Sequence, residues 1–197
     1  MIYLSSDFHL NHTNIAGRAV STWPKGWRGF DSVPEMNEVI LRGLNTLVLP
    51  QDTLYFLGDF AFGDKHKIPA LFERIACQDI RFLFGNHDSW LRRIAGSINI
   101  PNVTKWLGDY HELRIPQGEP GAGKLVVMSH YPLRRWNEQG RGSYHVHGHC
   151  HGSLRDGEGK LMDVGVDTNG WKPYSLGEVV AALEAKGLGG KIDHHFQ

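Results

Sequence analysis

The sequence has little of what marks secreted, membrane-spanning or disulfide-stabilised proteins. Its 197 residues include two cysteines, Cys77 and Cys150, which are too few for a disulfide framework and suit a reducing cytosol. No run of about 18 apolar residues occurs without a charge, so a membrane-spanning helix is not expected. Residues 1–6 lead directly into a polar motif without the basic and apolar regions of an export signal. We therefore expect a cytoplasmic protein.

The sequence also lacks an excess of charge of either sign. Lys plus Arg number 21 and Asp plus Glu number 21, so the surface has no overall field that attracts nucleic acid or an anionic membrane. Local basic patches, and with them nucleic acid as a partner, remain open. Hydrophobic residues make up 41% of the chain, which excludes a mostly disordered protein. We expect one domain over residues 1–197.

Four short apolar runs, rich in β-branched and aromatic residues, predict buried strands. They cover residues 2–5, 53–57, 80–84 and 125–128. A helix is predicted over 33–48, where Ser32 and Glu35 form a capping box, and a shorter amphipathic helix near 68–75. Strands that alternate with helices in this way indicate βαβ units.

The later part of the chain predicts more strands, joined by glycine-rich turns. These strands cover residues 110–115, 144–147 and 161–166, and a turn at 156–159 is expected to close a hairpin. A last helix is predicted from a second capping box, Ser175 with Glu178, to about Gly187. His194 and His195 are assigned to a polar tail and not to a site. The pattern predicts a layered α/β fold with mixed sheets.

Seven possible metal ligands occur in five clusters, each directly after a predicted strand. The clusters are Asp7-Phe8-His9, Gly58-Asp59, Gly85-Asn86-His87-Asp88, Ser129-His130 and Gly148-His149-Cys150-His151. Open α/β sheets bind ligands beyond the carboxyl ends of their strands, so the clusters are expected to converge. Aspartate, histidine and asparagine together suit a pair of divalent cations better than a single structural ion, which indicates metal-assisted hydrolysis.

The spacing within the first three clusters predicts how their side chains point. Asp7 and His9, two apart on an extended backbone, would face one ion while the residue between them turns into the core. Asp59 could bridge two ions or cap a helix. Asn86 offers a neutral oxygen, and its neighbour His87 is left for proton transfer because adjacent residues seldom bind the same ion.

Histidines are dense toward the end of the motif region. His145, His147, His149 and His151 alternate, and on an extended segment they would project from one face. Metal binding is preferred here to a solvated stretch, with His149 and His151 favoured because glycines flank them. His130, at the end of its own strand, is either a ligand or a hydrogen-bonded structural residue.

Taken as a set, the five clusters resemble the ordered signature of the calcineurin-like metallophosphoesterases. All five blocks occur in the same order, over residues 1 to about 152. The chain further resembles the small bacterial and phage members, through residues 6–12 and Tyr131-Pro132-Leu133. The resemblance implies an αββα sandwich of two mixed β-sheets flanked by helices.

The same resemblance implies roles for individual residues. One ion would be held by Asp7, His9, Asp59 and His151, and the second by Asp59, Asn86, His130 and His149, with Asp59 bridging. His87 would contact the phosphate and protonate the leaving oxygen. Its neighbour Asp88 would either orient that imidazole or cap the next helix. Manganese is the first expectation for both ions, although Fe, Zn, Co or Ni also accept such ligands.

The charge of such a centre favours hydrolysis of a phosphate ester. Two divalent ions bring four positive charges, of which Asp7 and Asp59 neutralise two. The remainder would attract a phosphate and lower the pKa of a bridging water from 15.7 to roughly 7. The hydroxide would attack in line with the leaving group, while His87 as general acid would contribute on the order of 10²–10⁴-fold.

The expected substrates are small phosphate esters or nucleotides, with phosphodiesters preferred to phosphomonoesters. Phe60-Ala61-Phe62-Gly63 differs from the Val-Asp-Arg-Gly of Ser/Thr protein phosphatases, and lipid-diphosphate hydrolases tend to carry Arg where this chain has His87. A non-catalytic scaffold of the same fold is the second hypothesis. A hydrolase of metallo-β-lactamase type is the third, but its His-x-His-x-Asp-His motif is incomplete here.

Some residues near the clusters have two possible roles. His12 and His147 could orient ligands or be structural. Arg134, Arg135 and Trp136 could grip a phosphate and stack on a base, or simply cover the surface.

Overall fold

The computed structural model describes residues 1–154 and 159–188, so most of the turn predicted at 156–159, together with His194 and His195, lies outside the described residues. The strands are β1 (Ile2–Ser5), β2 (Thr53–Phe56), β3 (Asp79–Leu83), β4 (Val103–Gly108), β5 (Tyr110–Arg114), β6 (Leu125–Ser129), β7 (Tyr144–His147), β8 (Leu161–Asp163) and β9 (Tyr174–Ser175). The helices are α1 (Thr13–Ala16), α2 (Val33–Leu47), α3 (Ile68–Phe72), α4 (Ser89–Ile94) and α5 (Leu176–Glu184), with 3-10 turns at Gln139–Arg141 and Val166–Thr168.

The strands form two mixed sheets, which confirms the predicted α/β fold class. The first sheet has the order β4-β3-β2-β1-β9, in which β1 to β4 are parallel and β9 is antiparallel. The second has the order β5-β6-β7-β8, in which β5 is antiparallel to β6 and the others are parallel. Parallel neighbours place their carboxyl ends on one edge, and both sheets therefore offer such an edge to a site.

The two faces of β2 and of β6 enter different hydrophobic clusters. In β2, Tyr55 packs between the sheets with Met128 and Val146, while Phe56 faces the helices and packs with Met36 and the α3 residue Phe72. Helix α5 contributes Leu176, Val179 and Leu183 to the cluster between the sheets. On the other face of β6, Leu125 and Val127 pack against Trp136. This burial holds the strand ends of both sheets in a fixed relation.

The three predicted helices, α2, α3 and α5, begin where the sequence predicts. Ser32 Oγ accepts a hydrogen bond from Glu35 N (3.2 Å) at the start of α2, and Ser175 and Glu178 form a reciprocal capping box at the start of α5. Helix α5 ends at Glu184, before the expected Gly187. Within residues 1–154 and 159–188, none of the helices combines the length and apolar character that crossing a bilayer requires.

Other boundaries differ from the prediction. The strand expected over 161–166 ends at Asp163, because the Asp163 carboxylate accepts from Gly165 N (2.8 Å) and the chain turns into a 3-10 helix. Helix α3 is one turn shorter than expected. Helices α1 and α4 and strands β4 and β9 have no counterpart in the sequence pattern, since they are short or lack alternation. In β4, for example, Thr104 and Lys105 are both exposed.

Candidate metal centre

The five clusters lie together beyond the carboxyl ends of strands from both sheets. Asp7 and His9 follow β1, Asp59 follows β2, Asn86 follows β3, His130 follows β6, and His149 and His151 follow β7. Hydrogen bonds continue past the strands: Asp7 N donates to Gly58 O (3.0 Å), and Gly148 N donates to His130 O (3.0 Å). The turns that carry the side chains are therefore held to one another.

Six of the seven predicted ligands form two groups of three. Potential ligand atoms of Asp7, His9 and His151 lie within 4.8 Å of one another, and so do those of Asp59, His130 and His149. Asp59 lies between the groups, because its Oδ2 is 3.6 Å from His9 Nε2 and 3.4 Å from His130 Nε2. This is the arrangement that a carboxylate shared by two ions requires.

Asn86 belongs with the second group. Its Oδ1 lies 2.9 Å from His130 Nε2 and 3.0 Å from His149 Nδ1. A single carboxamide oxygen thus faces two ring nitrogens. All seven residues predicted as ligands are brought together by the fold.

The backbone at the site is left-handed where extended backbone was predicted. The φ angles are 58° at Asp7, 49° at His9, 59° at Asp59, 68° at His149 and 48° at His151. The expectation that Asp7 alternates with His9, and His149 with His151, along extended segments is therefore wrong, although the side chain of Phe8, between the first two, is fully buried as expected. Non-glycine residues seldom adopt such angles, and backbone strain of this kind clusters at functional sites.

Two glycines let these turns approach closely. A Cβ on Gly85 would lie 2.1 Å from Asp59 Oδ1, and one on Gly148 would lie 2.4 Å from Asp7 Oδ2. Both distances are far inside van der Waals contact. The glycines of the clusters therefore make room for the carboxylates of their neighbours.

Several buried polar atoms at the site have no partner within the described residues. Asp7 Oδ1 and both ring nitrogens of His9 are buried without a hydrogen bond, while Asp7 Oδ2 accepts from Ser6 Oγ (2.7 Å) and His149 N (2.9 Å). An unsatisfied buried polar group costs about 1–3 kcal/mol and is uncommon in native proteins. A cation next to Asp7 Oδ1 and His9 Nε2 would satisfy both, so the residues fit a metal ion.

The electrostatics fit a ligand set at His9 and Asp59, but not at His130 and His151, where burial favours the neutral form but hydrogen bonds to Asp59 and Asp167 outweigh it and raise the pKa. Burial raises the pKa of Asp7 to about 6, although His151 and His130 lower it. Burial, with the Arg28 charge, holds the pKa of His9 well below its usual value. At Asp59 burial favours the neutral form, but hydrogen bonding and charge from His130 and His87 outweigh it and lower the pKa. Neutral imidazole and ionised carboxylate are the protonation states that metal binding needs.

Hydrogen bonds orient two of the histidine rings. His130 Nδ1 lies 2.8 Å from Leu57 O, and His151 Nδ1 lies 2.8 Å from Asp167 Oδ2. Donation from each Nδ1–H leaves the Nε2 lone pair free to face the centre, as metal-binding histidines require.

Two residues that sequence reasoning missed support this orientation. Arg28 donates to both oxygens of Asp167 (2.8 and 2.7 Å) and to the main-chain oxygens of Phe8 (2.7 Å) and Asp7 (2.5 Å). Arg28 and Asp167 are 139 residues apart in the chain, so no motif spacing could have joined them. The guanidinium ties the first cluster to the residue that holds His151.

His87 is positioned by the candidate bridging residue. Its backbone N donates to Asp59 Oδ1 (2.8 Å), and its ring Nε2 lies 3.9 Å from Asp59 Oδ2. The His87 side chain is 44% exposed and packs against Phe62, with ring centroids 4.7 Å apart. An exposed ring at the edge of the ligand groups can reach a bound ester.

Asp88 has neither of the two roles expected for it. Its carboxylate accepts from the backbone N of Asp59 (2.7 Å), Phe60 (3.1 Å) and Gly85 (2.8 Å), and it makes no side-chain cap to α4. The side chain is buried and joins the turn after β2 to the turn after β3. Its contacts assign Asp88 to positioning Asp59 rather than to proton transfer.

Of the other histidines near the clusters, His145 is structural and His12 lies beside the ligand groups. His145 is buried between Val127 O (3.0 Å) and Leu133 N (2.9 Å). His12 stacks on Phe62 at 3.9 Å, with its ring 5.5 Å from that of His9. The idea that Trp136 stacks on a substrate is wrong, since it is buried against β6.

Comparisons with known proteins support the fold. An uncharacterized protein of Methanocaldococcus jannaschii is 27% identical over 190 residues, which cover 93% of this chain and 91% of that protein. A crystal structure of a protein of unknown function from Aquifex aeolicus matches with a TM-score of 0.61 and 24% identity, over 92% of this chain and 98% of that one. No family model matches the sequence. The Aquifex aeolicus protein thus shares the fold over nearly the whole of this chain and of its own.

Proposed function

We propose that this protein is a two-metal phosphoesterase that hydrolyses small phosphate esters, with phosphodiesters preferred. The observation that supports it is the placement of Asp59 between two ligand groups, with Oδ2 3.6 Å from His9 Nε2 and 3.4 Å from His130 Nε2. A carboxylate with ligands on both sides is typical of sites that hold two ions. Both cysteines are free thiols, which suits the cytoplasmic location included in the proposal.

We assign the ligand atoms to the two ions as the resemblance implies. Asp7, His9, Asp59 and His151 would hold the first ion, and Asp59, Asn86, His130 and His149 the second. Oxygen and imidazole ligands accept several transition metals, of which manganese is proposed first. When bound, the two ions supply positive charge for the phosphoryl oxygens and acidify water at neutral pH.

The chain itself supplies the acid for the leaving group. His87 presents Nε2 at the exposed edge of the site, where an N–H can donate a proton to an alkoxide oxygen. The backbone N–H of His87 donates a hydrogen bond to Asp59 Oδ1, which fixes the position of this acid relative to the proposed bridging carboxylate. Asp88 in turn holds the backbone N of Asp59. The acid and the ligands are thus parts of one hydrogen-bonded unit.

The experiment is an assay of metal-depleted protein reconstituted with Mn²⁺. We expect hydrolysis of bis-p-nitrophenyl phosphate that depends on the added metal and exceeds hydrolysis of p-nitrophenyl phosphate. Asn86→Ala should lose most of this activity, whereas Asn137→Ala, which changes an asparagine bonded to Glu112, should retain it. A preference for the monoester would favour a phosphomonoesterase. Failure to hydrolyse either ester or cyclic nucleotides with two ions bound would favour a scaffold.

A further inference from the structure

A groove of about 570 Å³ opens beside His149 and His151. Its walls include three tryptophans, Trp23, Trp27 and Trp171. Sites for small organic molecules usually measure about 300–1,000 Å³ and combine apolar walls with a few polar groups. The groove shares His149 and His151 with the candidate metal centre. A molecule in the groove could therefore be the organic part of an ester whose phosphate lies at that centre.

Hydrogen bonds and packing hold parts of the groove walls. Trp27 Nε1 donates to Trp23 O (3.1 Å), and the next residue, Arg28, donates from its N to Ile15 O (2.8 Å). Trp171 packs against the core residue Phe30, with ring centroids 5.0 Å apart. Preformed walls reduce the entropy lost when a flat ligand binds.

The charges that line the groove are already neutralised. Arg28 is the one Lys or Arg among its described lining residues, and its guanidinium side chain is 2% exposed. Both carboxylate oxygens of Asp167 and two main-chain oxygens accept from it. The groove therefore does not match a second phosphate or an acidic peptide. The pocket on the other side of the centre, beside Asn86, differs in presenting the exposed Arg93.

The chemistry of the lining favours a heteroaromatic ring over an alkyl chain. Trp23 is 46% exposed and offers a flat apolar surface on which a ring can stack. The Ser153 hydroxyl and the Cys150 thiol also line the groove. The hydroxyl donates to Cys150 O (2.6 Å) and keeps its acceptor lone pairs for a donor on a ring edge. An alkyl chain offers no such donor, whereas every nucleobase has both a π-face and polar edges.

We infer that the groove binds the nucleobase of a nucleotide whose phosphoester lies at the candidate metal centre. This rests on the proposed function and specifies its substrate class as nucleotides, with the base between the tryptophans and the phosphate at the ligand groups. Trp23 and Trp27 then determine specificity and take no part in bond cleavage.

The test is isothermal titration calorimetry of the Mn²⁺-loaded protein with adenosine 5′-monophosphate and with ribose 5-phosphate. Base stacking on an aromatic side chain contributes enough to change affinity by about fivefold to 150-fold. We therefore expect the nucleotide to bind at least about fivefold more tightly than the sugar phosphate. Trp23→Leu should remove most of that difference and leave the sugar phosphate affinity unchanged. Tyr110→Leu, which changes an aromatic residue of similar exposure on β5, should leave both affinities unchanged.

The outcomes separate this inference from the proposed function. Equal affinities for the two ligands, or a nucleotide preference that survives both Trp23→Leu and Trp27→Leu, would overturn the base site even if bis-p-nitrophenyl phosphate is hydrolysed. A Trp23-dependent preference in a protein that hydrolyses no ester would support the base site and contradict the phosphoesterase. Should Trp23→Leu also lose the sugar phosphate, Trp27→Leu repeats the test in an intact site.

Discussion

Asp167 and His151 are joined by a hydrogen bond of 2.8 Å between Oδ2 and Nδ1. Burial favours the neutral form of Asp167, but hydrogen bonds from His151 and Arg28 outweigh it and lower the pKa to about 2. The residue therefore remains a carboxylate at neutral pH and keeps His151 Nε2 directed at Asp7 and His9. A residue outside all five sequence clusters thus controls a candidate ligand.

Asp167→Asn should weaken metal binding without abolishing it. Loss of a residue that orients a metal-binding histidine typically costs 10–100-fold in affinity. Competition of Mn²⁺ binding against a chelator would measure the change. Asp31→Asn, at an exposed position, is the control, and equal affinities for the two variants would contradict the orienting role.

His87→Ala should separate catalysis from metal binding. The variant is expected to retain its metal, because no predicted ligand is changed, and to lose on the order of 10²–10⁴-fold in turnover on an ester with a basic leaving group. An activated aryl ester needs no acid and should be affected much less. Steady-state kinetics on both esters test this, with exposed His66→Ala as the control, and equal losses on both would remove the acid role.

Asp59→Asn should deplete both ions, because the carboxylate faces ligands of both groups. Elemental analysis of the variant, loaded and dialysed beside the wild type, measures the stoichiometry. We expect well under one ion per chain where the wild type holds two. Two ions retained would contradict the bridging assignment.

Gly148→Ala should destabilise the protein and distort the first ligand group. The added Cβ would lie 2.3 Å from Ser6 Oγ and 2.4 Å from Asp7 Oδ2, and overpacking of this kind costs about 1–3 kcal/mol. The melting temperature should fall by several degrees. Gly187→Ala is the control, since a Cβ there meets nothing within 4 Å. Equal melting temperatures would show that the turn relaxes freely.

Stability should fall as the pH decreases from about 6.5 to about 4, in part through His145. Burial lowers the pKa of His145 to about 4, so the unfolded chain takes up a proton in this range that the folded chain does not. The contribution is present above pH 6.5 and lost on acidification, on the order of 3 kcal/mol. Denaturant unfolding would show that the free energy of unfolding of His145→Gln depends less on pH than that of the wild type. The control is His66→Gln, at an exposed position, which should behave like the wild type. The same slope in both variants would assign the effect elsewhere.

The fold class could be predicted from the sequence, because buried strands and helices have a characteristic local pattern of apolar residues. The apolar run 53–57 and the capping box of Ser175 with Glu178 predicted their elements within one or two residues of where they begin. Strand β9 could not be predicted from the sequence, because it has only two residues and pairs with β1, which is distant in the chain. Pairing between distant segments leaves no periodicity to detect.

The sequence by itself determined which side chains follow the strand ends, and hence the seven residues that the fold brings together. Only the tertiary structure decided how they converge. Left-handed backbone at Asp7 and His151 replaces the extended segments expected, and Asp88 binds backbone N–H groups where its sequence position suggested a partner for His87. The contact of Arg28 with Asp167 and the tryptophan-lined groove depend on segments far apart in the chain. Local composition sets where chemistry can lie, whereas hydrogen bonds and packing between distant segments set its geometry.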